Sequence, residues 1–183
     1  MKLTRKISII ISFAAVILLV LIDQLTKYLA VTNLELNNPP VVFIKYILSF
    51  KLAFNKGAAW SILEGQTFIL VSISIIASLA VAYLIYKLVD FKKAPLLSIA
   101  LILIDAGALG NLIDRAFYEK GVFDFLNFEF MEFPTFNFAD SCLTIGAVVL
   151  MVYIVFLRKY HLYMPSKEDM NKLYRPLFLY YQF

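Results

Sequence analysis

Four stretches of mostly apolar residues, roughly 7–30, 66–88, 95–116 and 140–157, dominate this 183-residue chain. Each falls within the ~17–25 residues that a helix needs to cross the hydrocarbon core of a bilayer. The rest of the composition agrees: 62% of residues are hydrophobic and 16% charged, against about 45–50% and about 25% in soluble domains. That leaves too little polar surface to hold a soluble fold of this size in water. The expected fold class is an all-α membrane protein: four transmembrane helices with a small extracytoplasmic β-containing loop region.

The charges set the expected topology. Lys2, Arg5 and Lys6 precede the first stretch, Lys87, Lys92 and Lys93 follow the second, and Arg158 and Lys159 follow the fourth. Basic residues concentrate on the cytoplasmic side of membrane proteins, so both termini are expected inside and the loops 31–65 and 117–139 outside. Those loops carry Glu35, Glu64, Glu119, Asp124, Glu129 and Glu132. The net charge of +4 is explained by this placement, and no nucleic-acid partner is expected. The N-terminal cluster and apolar run resemble a secretory signal peptide, but the run continues through Asp23 and Lys27 without a small-x-small cleavage site, so it is expected to be retained. Residues 41–54 are rich in β-branched and aromatic side chains and predict short strands, either an apolar patch facing the membrane beside a hydrophobic substrate or an ordinary packed extracellular loop. Residues 1–158 form the expected four-span domain, and 159–183 a polar, then aromatic, cytoplasmic tail along the membrane surface.

Single residues exclude several chemistries. One cysteine, Cys142, cannot form an internal disulfide or a Cys-rich metal site, and the lone His161 lies in the tail, so a histidine-based nucleophilic mechanism has no base within the spans. Ionisable residues inside spans cost about 2.5–3.5 kcal/mol each on insertion scales, so each asks for a partner or a purpose. Asp23 and Lys27 lie four apart, acid before base, and read as a structural ion pair on one helix face. Asn111, Asp114 and Arg115 share a face of the third span, where Arg115 is expected to keep Asp114 engaged. Ala106, Gly107, Ala108 and Gly110 read as close-packing residues.

Asp124 in "GVFDF" and Asp140 in "FNFAD" are surrounded by phenylalanines and have no basic neighbour. Two such carboxyls brought together share one proton rather than both ionising. That arrangement suits an aspartic protease dyad: one carboxylate takes a proton from attacking water while its protonated partner stabilises the oxyanion. An exposed loop aspartate and a helix N-cap aspartate are the plainer alternatives, and the residues alone leave them open.

Five strings occur in order: "DQLTK" at 23–27, "NKGAAWS" at 55–61, "AGALGNLIDR" at 106–115, "GVFDF" at 121–125 and "FNFADS" at 136–141. Each alone is weak, but in this order and topology the first 158 residues or so resemble the lipoprotein signal peptidases, also called type II signal peptidases. The resemblance implies that Asp124 and Asp140 are the catalytic dyad. It implies a supporting site of Asp23, Lys27, Asn55, Gly57, Ala58, Asn111, Asp114, Arg115, Asn137 and Ala139. It implies diacylglyceryl-modified prolipoproteins as substrates, cut immediately before the lipidated cysteine, with membrane lipids around the enzyme and globomycin-type inhibitors. No metal or organic cofactor is implied. The location implied is the bacterial cytoplasmic (inner) membrane, with the active site at the outer face.

The chain departs from the family pattern at Phe123, where a small aliphatic residue is usual, and at Asp105 in mid-span. A 100° step per residue puts Asp105 roughly opposite Asp114 around the helix, away from the active site, with protonation or a partner on a neighbouring helix expected to resolve its charge. A small proton-coupled membrane transporter component is the rival class. Transport sites favour the midplane, which only Asp105 fits.

Overall fold

The computed structural model describes residues 4–57 and 63–157. Helix α1 spans Arg5–Asn33, α2 Thr67–Leu88, α3 Pro95–Phe117 and α4 Phe138–Val152, followed by a π-helical turn, Tyr153–Leu157. Three strands lie between them: β1 Val41–Ile44, β2 Leu48–Asn55 and β3 Val122–Phe128. The chain divides into two compact units, 1–150 and 151–183; everything below concerns the first, and the expected tail 159–183 lies outside the described residues.

The four apolar runs become four helices long and apolar enough to cross a membrane. An uninterrupted apolar segment in hydrocarbon has no water to bond its backbone, and a helix satisfies those groups internally. Pro95 opens α3 at a position where a missing N–H costs nothing. The tight turn before it is held by Asp90, whose Oδ1 accepts the backbone N–H groups of Lys92 and Lys93. Half of the apolar stretch of α3 is buried, against 22% in α1 and 17% in each of α2 and α4, so α3 is the central helix. Its apolar core joins Leu101, Ile102 and Ala106 to Val16 of α1 and to Ile85 and Val89 at the end of α2.

Two glycines set how closely the other helices approach α3. A Cβ on Gly107 would collide with the Ala139 carbonyl oxygen of α4, and one on Gly110 would lie 2.6 Å from Asp23 Oδ2 of α1. The small-residue run therefore packs helices together, as its composition predicts.

The strands form one antiparallel sheet in the order β1-β2-β3. β1 and β2 fall where the 41–54 pattern predicts strands. β3 is an addition: its first four residues are all buried, so it lacks the alternation that marks a half-buried strand in sequence. Register pairs Ala53 with Asp124 and Asn55 with Val122, which sets the Asn55 backbone beside the strand that carries Asp124.

Candidate active site

The polar residues of α1 and α3 meet in a dry cluster. Lys27 Nζ lies 2.8 Å from Asp23 Oδ2 and 2.8 Å from Asp114 Oδ2, with all three side chains at most 2% exposed. The i,i+4 pair expected at Asp23 and Lys27 is therefore present, but it extends to a third charge. The partner of Asp114 is Lys27 and not Arg115, a correction to the expectation from adjacency. Successive helix positions are 100° apart, so when Asp114 faces α1 its neighbour points elsewhere. Arg115 donates from Nη2 to the Gly57 carbonyl at 2.9 Å, and from Nη1 to the Asn111 carbonyl at 3.3 Å. It thereby ties the end of α3 to the segment that follows β2.

Lys27 also decides how Asn111 is turned. Its ammonium donates to Asn111 Oδ1 at 3.1 Å, which leaves the amide Nδ2 to donate to Asp140 Oδ1 at 2.7 Å. An ammonium has donors and no acceptor, so it fixes which end of the amide faces it. Asn137 Nδ2 donates to the same Asn111 oxygen at 3.1 Å and to Asp124 Oδ1 at 2.6 Å. One buried amide thus links both aspartates to the α1–α3 ion cluster.

Asn137 does a second job at the start of α4. Its Oδ1 accepts the Asp140 N–H at 2.8 Å, while Asp140 Oδ2 accepts the Asn137 N–H at 3.1 Å. This is a reciprocal capping box with Asn137 as N-cap and Asp140 three residues later. The plain alternative of Asp140 as the N-cap is thus corrected. Asp23 Oδ1 accepts the Ala139 N–H at 2.9 Å, so α1 caps another free amide of α4. Ala139 and Asn137 act through backbone and side chain to seat Asp140, and both are buried.

Asp124 is buried on β3, and its carboxyl is pushed from the ordinary 3.8 up to about 7. Burial is the largest cause and the Asp140 charge the next; hydrogen bonds from Asn137 and Asn55 and the Lys27 charge work against them. Asn55 Oδ1 also accepts the Gly57 N–H at 2.9 Å, shaping the turn out of β2. Ala58 lies outside the described residues. Phe123 stacks edge-on between Phe54 and Tyr118, and its N–H donates to Asp114 Oδ2 at 3.2 Å.

Comparison with known proteins decides the family: the sequence model described as "Signal peptidase (SPase) II" matches residues 15–156. The chain belongs to the signal peptidase II family. It is 40% identical over 147 residues to a lipoprotein signal peptidase of Enterococcus faecalis, covering 80% of this chain and 89% of the relative. It is 41% identical over 154 residues to one from Francisella tularensis subsp. novicida, covering 80% and 92%. A solved structure described as a bacterial membrane enzyme superposes with a TM-score of 0.73 at 32% identity, covering 85% of this chain and 93% of that one. A second gives 0.70 at 33% identity, covering 80% and 93%.

As a signal peptidase the chain is a protease, and the transporter alternative has no support. Asp105 is buried and its Oδ1 has no hydrogen-bond partner among the described residues; of the two expected resolutions, a partner on a neighbouring helix is not found for that oxygen among them. One contributor was not singled out from the signal peptidase motifs: Gln24. Its Nε2 donates to Asp23 Oδ2 at 3.1 Å, the Gly110 carbonyl at 3.2 Å and Asp114 Oδ1 at 2.9 Å. The available signal was a polar side chain inside a span, next to an aspartate.

Proposed function

We propose that this signal peptidase is an aspartyl endopeptidase in which Asp124 and Asp140 share one proton. Its substrates are prolipoproteins whose lipobox cysteine carries diacylglyceryl, and the bond cut is the one immediately before that cysteine. The observation that carries the reading is the Asn137 side chain, hydrogen-bonded to Asp124 through Nδ2 and to the Asp140 backbone through Oδ1, which ties the two aspartates to one amide.

The chemistry follows from the partners of each carboxyl. Asp140 accepts two N–H groups, from Asn111 Nδ2 and the Asn137 backbone, which hold its carboxyl in place as the base that takes a proton from water. Asp124, raised to about 7, holds the shared proton and donates it as a hydrogen bond to the scissile carbonyl oxygen. Water adds to that carbonyl, its proton passes to Asp140, and the tetrahedral species collapses as the proton is delivered to the leaving cysteine nitrogen. Asp23, Lys27, Asn111, Asp114, Asn137 and Ala139 support the dyad, while Asn55, Gly57, Ala58 and Arg115 shape the substrate side.

The enzyme sits in the bacterial inner membrane among membrane lipids, both termini cytoplasmic and the dyad at the outer face, with 1–158 as the peptidase domain and 159–183 as the tail. Globomycin-type inhibitors bind at the dyad. The deciding experiment is single-turnover cleavage of a diacylglyceryl-modified prolipoprotein, read as a gel shift. Asp124→Asn and Asp140→Asn each keep the side-chain shape and lose proton exchange, so each is expected to abolish the shift while expression holds. A stable variant that still cuts removes that residue from the mechanism. For topology, a cysteine placed at Glu119 or Asn38 is expected to label from outside intact cells against the low background of the buried Cys142. Labelling at Lys92 instead reverses the orientation.

A further inference from the structure

The end of the helix bundle formed by the start of α1 and the end of α2 carries charge that the reaction does not use. Arg5 donates from Nη2 to the carbonyl oxygens of Tyr86 at 3.0 Å and Lys87 at 2.8 Å. The last carbonyls of a helix have no donors within it, so the guanidinium of one helix caps the other. The cap also brings a permanent cation onto the backbone of Lys87, whose ammonium lies 5.6 Å and 5.8 Å from the ring centres of Tyr83 and Tyr86. Lys6 follows Arg5, and Lys92 and Lys93 stand in the turn beyond α2. The acid of that turn, Asp90, spends its Oδ1 on two backbone amides. None of these five cations has an ion-pair partner among the described residues.

We propose that this rim binds the phosphodiester headgroup of one anionic phospholipid, held between Arg5 and Lys87 with Lys6, Lys92 and Lys93 around it. Five cations gathered at one end of the bundle outweigh the single charge of Asp90 and call for an anion, and the guanidinium fork matches phosphate oxygens. A lipid fits better than a free phosphate because the charged rim adjoins apolar helix surface: Ile10 of α1 and Leu79 and Leu84 of α2 are exposed along the same helices, where acyl chains lie. Tyr83 and Tyr86 are 59% and 55% exposed, amphipathic rings suited to headgroup depth. α1 and α2 each pack mainly on α3 and little on one another. An anion shared by Arg5 and Lys87 therefore joins two helix ends that the apolar core joins only weakly.

The test uses the full chain purified in neutral detergent, with thermal unfolding and native mass spectrometry as readouts. Phosphatidylglycerol is expected to raise the unfolding temperature and to be retained as one bound copy, while phosphatidylcholine and soluble glycerol phosphate do neither. Arg5→Gln with Lys87→Gln is expected to weaken phosphatidylglycerol binding by at least about tenfold, a loss of about 1.4 kcal/mol. Because Arg5 also caps α2, a second variant, Lys6→Gln with Lys92→Gln and Lys93→Gln, leaves that cap intact and is expected to weaken binding to a smaller degree. Prolipoprotein cleavage in neutral detergent should be unchanged in this second variant. Equal responses to the two phospholipids, retention of phosphatidylglycerol by the Arg5/Lys87 variant, or full stabilisation by glycerol phosphate alone would each overturn the proposal.

Discussion

Replacing Lys27 with methionine tests the idea that one buried cation organises the site. Methionine keeps most of the side-chain volume and removes the charge from between Asp23 and Asp114, which are 1% and 0% exposed. Breaking a buried pair by removing one partner costs about 3–5 kcal/mol, because a charge is left buried and uncompensated. Here two carboxylates are stranded, but each keeps other donors: Gln24 and the Ala139 N–H for Asp23, Gln24 and the Phe123 N–H for Asp114. The expected loss therefore stays within about 3–5 kcal/mol, two to three and a half orders of magnitude in the folding equilibrium. Equilibrium unfolding in mixed micelles measures it. The triple variant Lys27→Met, Asp23→Asn, Asp114→Asn strands no charge and is expected to regain most of the stability. It should nonetheless cleave poorly, because Asn111 then loses the ammonium on its Oδ1 and keeps only the Asn137 amide to hold its Nδ2 toward Asp140. A Lys27→Met protein within about 1 kcal/mol of the parent refutes the energetic argument, and a triple variant as active as the parent refutes the orientation argument.

Stability should depend on pH through Asp124, whose folded value of about 7 exceeds the ordinary 3.8. Its contribution is fully present below about pH 4 and lost as pH rises through about 7, because the unfolded chain ionises first. Asp124→Asn should flatten that slope in unfolding curves between those limits, and an unchanged slope would assign it to another group. Cleavage by the parent should fall above about pH 7 as the shared proton leaves. Gly107→Ala sets a methyl against the Ala139 carbonyl and should push α4 outward; a loss of about 1–3 kcal/mol with reduced cleavage is expected from such overpacking. Unaltered melting and rate would show that α4 yields freely.

The length of each apolar run fixed the number and class of the helices, because crossing a bilayer is a one-dimensional requirement on consecutive residues. The i,i+4 spacing of Asp23 and Lys27 likewise showed their pairing, since helix periodicity alone brings them together. The family strings pointed to Asp124 and Asp140 and to the residues around them. The sequence did not show that Lys27 serves Asp114, that Arg115 turns away to Gly57, or that Asn137 rather than Asp140 begins the α4 cap. Nor did it show β3 as a strand, whose buried start hides the alternation, or Gln24 as a bridge between α1 and α3. Those contacts join residues as far apart as Asp23 and Ala139, 116 positions in the chain. Only the close packing of α1 and α4 on α3, permitted by Gly107 and Gly110, decides which polar group meets which.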